Sequence, residues 1–367
     1  MVRSSFFTRL SEPFERLVSR ALDHLQQIAA ARAPAFRGVL EGFHDVIAVD
    51  ATVIKVQDSL AWLWKGTRHS RKAAVKVHTW IRATTGELLR HRITAETFAE
   101  ARAFGKAHAL KGVLFLFDMG FPSAGLWFRI HRLGGFFLTR LPKTHHPTIV
   151  SVNRTHRGRA RKVVGAKLLD VVPGLRRGVL DVNCEFKVHV RRYGKDKGRM
   201  RRQVFRVIGI YNPVSREHHL YVTNLSLARL DAADAEHLYR LRWEVDTFYK
   251  VNKSGLGLDD LNSGKPHIVR TMLKAALLRG SICMQAKRHA ERYLPSRRWI
   301  NSLMWARVWT AYMDRALDGW LLGTRRRTAM TWRRLALLAM DPERRRPPTS
   351  RWIEDLDVCD FALGIKC

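Results

Sequence analysis

The sequence predicts an α/β fold with a helical region at each end of the chain. Three β-branched segments follow one another at 46–56, 72–82 and 88–94, as strands with one buried face do. An apolar run at 113–118 that ends in Asp has the pattern of a buried central strand. Helical spacing of apolar residues marks 11–31 and 232–253. These three observations together indicate a sheet combined with long helices.

The order of the elements narrows the fold class. The first helix, 11–31, has Ser11 as a capping residue and Pro13 in its first turn. The three strands come next, with a turn signal at 83–87 before the third. A helical pattern (96–110), the central strand, a second helix (123–133) and a strand (135–141) then follow. This βββ-α-β-α-β order is consistent with a ribonuclease-H-like core.

The rest of the chain divides by composition. Arg-rich turns separate strand patterns through 145–225, which predicts a β-rich insertion. Helical patterns return from 231 to about 295, and a Trp-rich helical tail follows. We attribute the tail's tryptophans to helix packing rather than to base stacking. The predicted divisions are a helical N-terminal region, a first core part, the insertion, the core helices and the helical tail, at 1–45, 46–144, 145–225, 226–295 and 296–367.

The charge of the chain points to a polyanionic partner. Lys and Arg number 66 and Asp and Glu number 32, so the net charge is +34 over 367 residues. A compact protein with this charge repels itself unless a polyanion offsets it, and nucleic acid is the commonest such partner. Abundant arginine in a high-GC genome is the alternative explanation.

Cysteine usage and hydropathy exclude several other classes. The four cysteines are widely separated and form no CxxC pair, which argues against a zinc site or a disulfide framework. No signal-peptide core and no run of transmembrane length is present. We therefore expect a cytoplasmic, nucleoid-associated protein without a membrane partner.

Two aspartates stand where metal chemistry is often found. Asp50 lies within the apolar strand 46–56, and a carboxylate there is costly unless it faces a cleft or a cation. Asp118 ends the central strand, where side chains of α/β sheets project into a crevice. Taken singly, an Asp at a strand end is more often a cap or turn residue.

The helix predicted at 232–253 carries the sharpest signal. Leu238, Leu241, Val245 and Phe248 form an apolar face. Aromatic, basic and acidic residues share a second face, which we expect to be open: Tyr239, Arg242, Asp246, Tyr249, Lys250 and Lys253. An ordinary solvated face with ion pairs is the alternative.

Here the chain resembles the insertion-sequence-four family of DDE transposases. Tyr239, Arg242 and Lys253 match the spacing of its Y-(2)-R-(3)-E-(6)-K signature, with Asp246 at the position where the family has Glu. Five further segments resemble family motifs in the same order: VDATVIK, KVHTW, FDMGFPS, FFLTRLPK and YVTNL. The resemblance runs from about 46 to 285 and adds weight to the ribonuclease-H-like core.

The resemblance implies a DNA transposase that cuts and rejoins terminal inverted repeats in cut-and-paste transposition. Two Mg²⁺ or Mn²⁺ ions would be held by Asp50, Asp118 and Asp246. A homodimer would act on double-stranded DNA ends and target DNA. Residues 1–45 lie outside the resemblance, and we expect them to help bind the ends. The expected DNA contacts are Tyr239, Arg242, Lys250, Lys253, Arg140, Lys76 and His78.

Two further interpretations remain open, and Asp246 favours the first of them. The Asp246 side chain is one methylene shorter than that of Glu, and metal sites of this kind need tight placement of their ligands. Glu244 lies on a different side of a helix and cannot simply replace it. One alternative is therefore a decayed or domesticated transposase that binds DNA without cutting it. The other is a different ribonuclease-H-like nuclease, such as a resolvase.

Overall fold

The computed structural model describes most of the chain and divides it into two compact units. The first unit comprises 1–33, 50–99 and 243–352, and the second comprises 34–49, 100–242 and 353–367. The described residues are 10–32, 34–104, 110–119, 123–142, 144–154, 162–175, 178–190, 199–259, 261–294, 298–322 and 325–341.

The fold is mixed α/β, as the sequence predicts. The strands are β1 (Asp45–Lys55), β2 (Lys65–Arg68), β3 (Arg71–Arg82), β4 (Leu88–Ala95), β5 (Val113–Phe117), β6 (Phe136–Arg140), β7 (Thr148–Val152), β8 (Leu180–Val190), β9 (Arg199–Asn212) and β10 (Glu217–Thr223). The α-helices are α1 (Glu12–Ala31), α2 (Glu100–Ala103), α3 (Ala124–Arg132), α4 (Leu168–Val171), α5 (Ala235–Arg240), α6 (Trp243–Lys250), α7 (Pro266–Glu291), α8 (Ser302–Leu322) and α9 (Arg325–Leu338). A π-helical turn covers Val251–Gly255, and 3-10 turns cover Gly38–Leu40, Asp58–Leu60 and Val172–Gly174.

In the first unit, antiparallel strands pack with α1 and α7. The strand order is β2-β3-β1, and β4 pairs with the later residues of β3. Buried Glu87, between β3 and β4, accepts from Arg82 at 2.7 Å and lies 3.3 Å from Arg288 of α7. Lys274 of α7 donates to Glu15 of α1 at 3.0 Å. These ion pairs join α7 to the β3–β4 connection and to α1.

In the second unit, parallel strands continue into an antiparallel set. The first half of β1 pairs in parallel with β5, and β5 pairs in parallel with β6. Strand β10 pairs antiparallel with β6, and β9, β8 and β7 follow outward in that order. The strands expected in 145–225 are therefore present, and the last of them is hydrogen-bonded to β6.

The core of the second unit is aromatic and includes a buried ion pair. Trp127 of α3 stacks on Phe137 with ring centroids 5.7 Å apart, and Phe205 lies 5.2 Å from Phe137. Arg206 of β9 forms two hydrogen bonds with Asp181 of β8, at 2.9 and 2.6 Å. Arg206 also donates to the main-chain oxygens of Leu230 and Ser226.

Three features differ from the sequence-based expectation. Strand β2 was not predicted, because KGTR is polar and has no apolar alternation. The helical pattern at 96–110 yields only α2, and 105–109 lie outside the described residues. The single helix predicted at 232–253 is wrong, because α5 ends at Arg240, α6 begins at Trp243 and a π-helical turn begins at Val251.

The tail residues that the structure describes are helical and pack through tryptophan. Trp305, Trp309 and Trp332 are buried and stack with centroid distances of 6.0 to 6.4 Å. Packing was the interpretation favoured by the sequence. Residues 342–367, which include the basic run before Pro347, lie outside the described residues. None of the described helices has the length and apolar character needed to span a membrane.

Candidate active site

Asp50 lies in the middle of β1, where the flanking residues are mostly buried. Val49 is fully buried and Asp50 is partly exposed. One carboxylate oxygen of Asp50 accepts from the main-chain N–H of Ala51 at 2.7 Å. This contact orients the carboxylate while part of it faces solvent. The cost of placing a charge in an apolar strand is reduced accordingly.

Asp118 directly follows β5 in the second unit, as the sequence predicts. The parallel register pairs Val49 with Phe117, and the next residues along these two strands are Asp50 and Asp118. The Asp118 side chain is 44% exposed, and Nε of Arg242 lies 4.0 Å from its Oδ1. The Arg242 side chain is only 10% exposed. A largely buried guanidinium thus stands beside a carboxylate that solvent reaches.

Arg242 belongs to a cluster of aromatic and basic side chains in the second unit. Its guanidinium carbon lies 5.8 Å from the Tyr239 ring centroid, within the range of a cation–π contact. The Tyr239 ring lies 5.2 Å from that of Tyr221, and Tyr221 pairs with Arg140 across β10 and β6. Arg140 is partly exposed. Three of the predicted DNA contacts, Tyr239, Arg242 and Arg140, are thus brought together within one unit.

Tyr239 occupies a different environment from the open face that we expected. It is 6% exposed, and its hydroxyl has no hydrogen-bond partner among the described residues. Burial raises the pKa of Tyr239, while the neighbouring charge of Arg242 acts to lower it. The hydroxyl therefore stays protonated and retains a donor that the described residues do not use.

Tyr249 provides the link that the sequence did not reveal. Its hydroxyl lies 3.1 Å from the main-chain oxygen of Asp50 and 2.9 Å from that of Val77, and it accepts from the Thr79 hydroxyl at 2.8 Å. Tyr249 is one turn beyond Asp246 on α6, and Asp246 is partly exposed. The helix that carries Asp246 is thereby tied to the strand that carries Asp50. Helical spacing had placed Tyr249 on the open face, which is wrong because Tyr249 is buried.

The two lysines of the signature region differ in their setting. Lys250 is exposed at the end of α6, whereas Lys253 is partly exposed within the π-helical turn. Asn252 between them is fully buried, and its amide donates to the main-chain oxygen of Phe248 at 2.8 Å. The change of helix type means that Lys253 does not continue a straight α-helical face from Tyr239.

Lys76 and His78 lie on β3 in the first unit. Lys76 donates to the main-chain oxygen of Phe98 at 3.2 Å. His78 is fully buried, and its Nε2 lies 2.9 Å from the Thr94 hydroxyl. Burial lowers the pKa of His78 to about 4, and the charges of Lys76 and Arg92 add to this effect. Such a position suits a packing role better than direct contact with DNA.

The predicted metal ligands are all carboxylate oxygens, which is the donor type that Mg²⁺ prefers. Asp50, Asp118 and Asp246 are each at least partly exposed, so solvent reaches all three. Asp50 and Asp246 belong to the first unit and Asp118 belongs to the second. Within the described ranges, no group of three or more His, Cys, Asp or Glu side chains is arranged around a single metal position.

Comparisons with known proteins bear on the family of the chain. Among solved structures, the piggyBac transposase in a synaptic complex with hairpin DNA is similar, with 7% sequence identity and a TM-score of 0.43. The similarity covers 80% of this chain and 57% of that one, so this chain spans less than two thirds of the piggyBac chain's length. Comparison with curated proteins found no match. A family model described as a transposase DDE domain matches residues 41–278, and the chain therefore belongs to this family of DDE transposases.

Proposed function

We propose that this protein cuts DNA at the terminal inverted repeats of an insertion sequence and joins the cut ends to target DNA. Membership of the transposase DDE family carries the proposal, because the matched residues 41–278 include all three candidate carboxylates. Within the second unit, the position of Asp118 directly after β5 and the guanidinium of Arg242 beside it support the proposal. We further propose cut-and-paste transposition by a homodimer.

Asp50, Asp118 and Asp246 are the residues that would hold the metal ions. Their donor set fits two Mg²⁺ or Mn²⁺ ions, since all the ligands are oxygens and all three side chains reach solvent. When bound, these ions would supply Lewis-acid activation of the attacking and leaving oxygens of the phosphodiester. No side chain with a shifted pKa is needed as a base in such chemistry.

The neighbouring residues would bind and orient the DNA. Arg242 is held beside Asp118, where its guanidinium is placed to bind a phosphate near the cut. The DNA backbone would receive further contacts from Arg140, Lys250 and Lys253. Lys76, on the strand next to β1, would contact the same DNA. Tyr239 has an unused donor beside Arg242. His78, being buried, would act by packing.

The finer assignments rest on the order of the strands. Antiparallel β3 and β4 in one unit, and the parallel series β1, β5 and β6 in the other, follow the order expected of a ribonuclease-H-like core. We propose that fold class, with β7–β10 as a β-rich insertion. Within the family we propose membership of the insertion-sequence-four group, with Asp246 in the acidic position of its signature.

The test begins with the DNA on either side of the gene. Its inverted repeats, offered as a linear duplex with Mg²⁺ or Mn²⁺, should be cut at the repeat boundary by the wild-type protein. Asp50→Ala should abolish cutting while binding persists. Asp23→Ala, an exposed aspartate of α1, is the matched control and should cut normally. Preferential cutting of branched DNA over linear ends would instead support a resolvase.

Asp246 favours a second candidate, a decayed or domesticated transposase that binds the repeats without cutting them. Its side chain is shorter than that of Glu and would loosen a metal site whose ligands require tight placement. If this candidate is correct, the wild type binds the repeats but does not cut them. Asp246→Glu should then restore cutting. Cutting at the repeat boundary by the wild type, together with lower activity of the Asp246→Glu variant, would exclude this candidate.

A further inference from the structure

A basic hairpin in the first unit is not used by the function proposed above. We define the basic hairpin as residues 65–72, formed by β2, its turn and the start of β3. Lys65, Arg68, His69 and Lys72 are exposed. Among the described residues, no carboxylate lies within 4.0 Å of the charged groups of Lys65, Arg68 or Lys72. Their positive charge is therefore left without local compensation.

One buried carboxylate fixes the shape of the basic hairpin. Glu96 is 7% exposed and accepts from the Arg71 side chain through both of its oxygens. It also accepts from the main-chain N–H of Thr67 at 3.0 Å. These hydrogen bonds to a charged group hold both arms of the hairpin. The exposed cations of the hairpin thus project from a braced backbone.

The backbone of the basic hairpin is also packed too closely for a side chain at Gly66. A Cβ atom there would lie within 1.9 Å of the main-chain oxygen of Arg71. Glycine is the residue that permits this approach of two strands. Two independent contacts, the glycine and the Glu96 brace, therefore predict a rigid presentation of the cations.

An exposed tryptophan precedes the basic hairpin in the chain. Trp62 is 76% exposed, whereas Trp64, two residues later, is 4% exposed. A large ring that is not used for packing adds a flat face suited to sugars and bases. A charged surface with an aromatic side chain nearby is typical of contact with nucleic acid.

We propose that the basic hairpin binds the phosphate backbone of DNA through Lys65, Arg68 and Lys72, with Trp62 contacting the same DNA. The proposal rests on DNA as the partner in the proposed function, but it adds a contact outside the candidate active site. Its role is to hold the duplex independently of cutting. Phosphate contacts of this kind position a protein on DNA without reading its sequence.

An alternative use of the same cations is protection of the sheet edge. Strand β2 stands at the end of the strand order, and lysines on an edge strand discourage pairing with another molecule. Under that alternative, neutralising the cations would cause self-association and leave DNA affinity unchanged. The two uses therefore predict opposite results in a binding measurement.

The test compares two variants that lose the same charge. One carries Lys65→Gln, Arg68→Gln and Lys72→Gln; the control carries Arg20→Gln, Arg333→Gln and Arg334→Gln, which remove three exposed cations elsewhere in the same unit. Affinity for a non-specific duplex is measured against salt concentration in EDTA. Each lost phosphate contact should lower the magnitude of the slope of log affinity against log salt by about 0.9. For the three contacts of the hairpin variant we expect a decrease of about 2.7 relative to wild type.

Equal slopes for the hairpin variant and the wild type would overturn the proposal. So would equal losses in both variants, since net charge alone would then explain binding. Trp62→Ala should weaken binding further, and Trp62→Phe should restore most of it. Because the measurement needs no cutting, a protein that fails to cut the repeats refutes the proposed function and leaves this result interpretable.

Discussion

The Tyr249 hydroxyl lies 3.1 Å from the main-chain oxygen of Asp50 and so connects α6 to β1. The same hydroxyl reaches the Val77 oxygen and accepts from Thr79. One phenol oxygen thus serves three partners on two strands. We expect this link to fix where the Asp246 carboxylate stands relative to Asp50.

We expect Tyr249→Phe to reduce DNA cutting by about 10-fold, a loss common when a group that orients metal ligands is removed. The phenyl ring preserves packing, but Thr79 and two main-chain oxygens lose their hydrogen bonds to this hydroxyl, so the free energy of unfolding should fall by about 1–3 kcal/mol. The Mn²⁺ concentration for half-maximal cutting should rise, which a purely structural defect would not cause. Phe248→Leu, at a buried neighbouring position, is the control for packing. Unchanged metal dependence in Tyr249→Phe would contradict the positioning role.

The buried His78 makes stability depend on pH. Its pKa is about 4 in the folded protein, below the ordinary 6.5, because burial disfavours the charged form. The unfolded chain therefore binds the proton first, and stability is complete above pH 6.5 and lost as the pH falls toward 4. For a shift of this size the loss reaches about 3 kcal/mol.

The measurement is the free energy of unfolding of wild type and His78→Phe between pH 7 and pH 4. The difference between the two proteins should change in favour of the variant as the pH falls. His24→Gln, at an exposed position of α1, is the control and should follow the wild type. Parallel curves for His78→Phe and wild type would show that His78 is protonated normally.

The buried pair of Asp181 and Arg206 should be sensitive to loss of either partner. Both side chains are less than 5% exposed, so Asp181→Asn leaves a buried guanidinium without its counter-charge. We expect a loss of about 3–5 kcal/mol in the free energy of unfolding, measured by denaturant titration. On the same strands, Glu185→Gln breaks an ion pair whose Arg202 is 74% exposed, and should cost less than about 1 kcal/mol. Similar losses in both variants would refute the distinction.

Gly280→Ala should destabilise the protein, although alanine ordinarily favours a helix by about 1 kcal/mol over glycine. A Cβ at Gly280 of α7 would lie 2.2 Å from Oδ1 of the buried Asn252. Overpacking of this kind costs about 1–3 kcal/mol. Adding Asn252→Ala should recover part of the loss, and Gly174→Ala, with open space around it, should be neutral. A rise in melting temperature for Gly280→Ala would contradict the close contact.

The strands with strong apolar patterns were predictable, and the weak ones were not. Val113–Phe117 is buried at every position, so its pattern is unambiguous. Strand β2 is held by pairing with β3 and by the Glu96 brace, and neither leaves an apolar signal in KGTR. The break between α5 and α6 falls in YRLRWE, which contains neither glycine nor proline. The break instead coincides with a tertiary contact, because Arg242, which lies between the two helices, is placed beside Asp118.

The positions of two candidate carboxylates relative to the strands were predictable. Asp50 and Asp118 stand in or after apolar strands, and the structure has them there. Burial of Tyr239 and Tyr249 was not predictable, because helical spacing alone does not show that Tyr221 packs on one ring or that neighbouring strands bond to the other hydroxyl. The π-helical turn at Lys253 was not predictable either. It accompanies a hydrogen bond from the Asn252 side-chain amide to the main chain, which leaves no pattern in the sequence.

The first unit is assembled from three separate stretches of the chain, and this sets the timing of its folding. Strands β3 and β4 leave the ribosome long before α7, whose Lys274 holds α1 through Glu15. Until 266–291 have been synthesised, α1 and the strands lack their packing partner, so apolar surface remains exposed. Contacts between such distant segments also slow folding, because long loops must close first. We therefore expect the nascent chain to need chaperones most before α7 emerges.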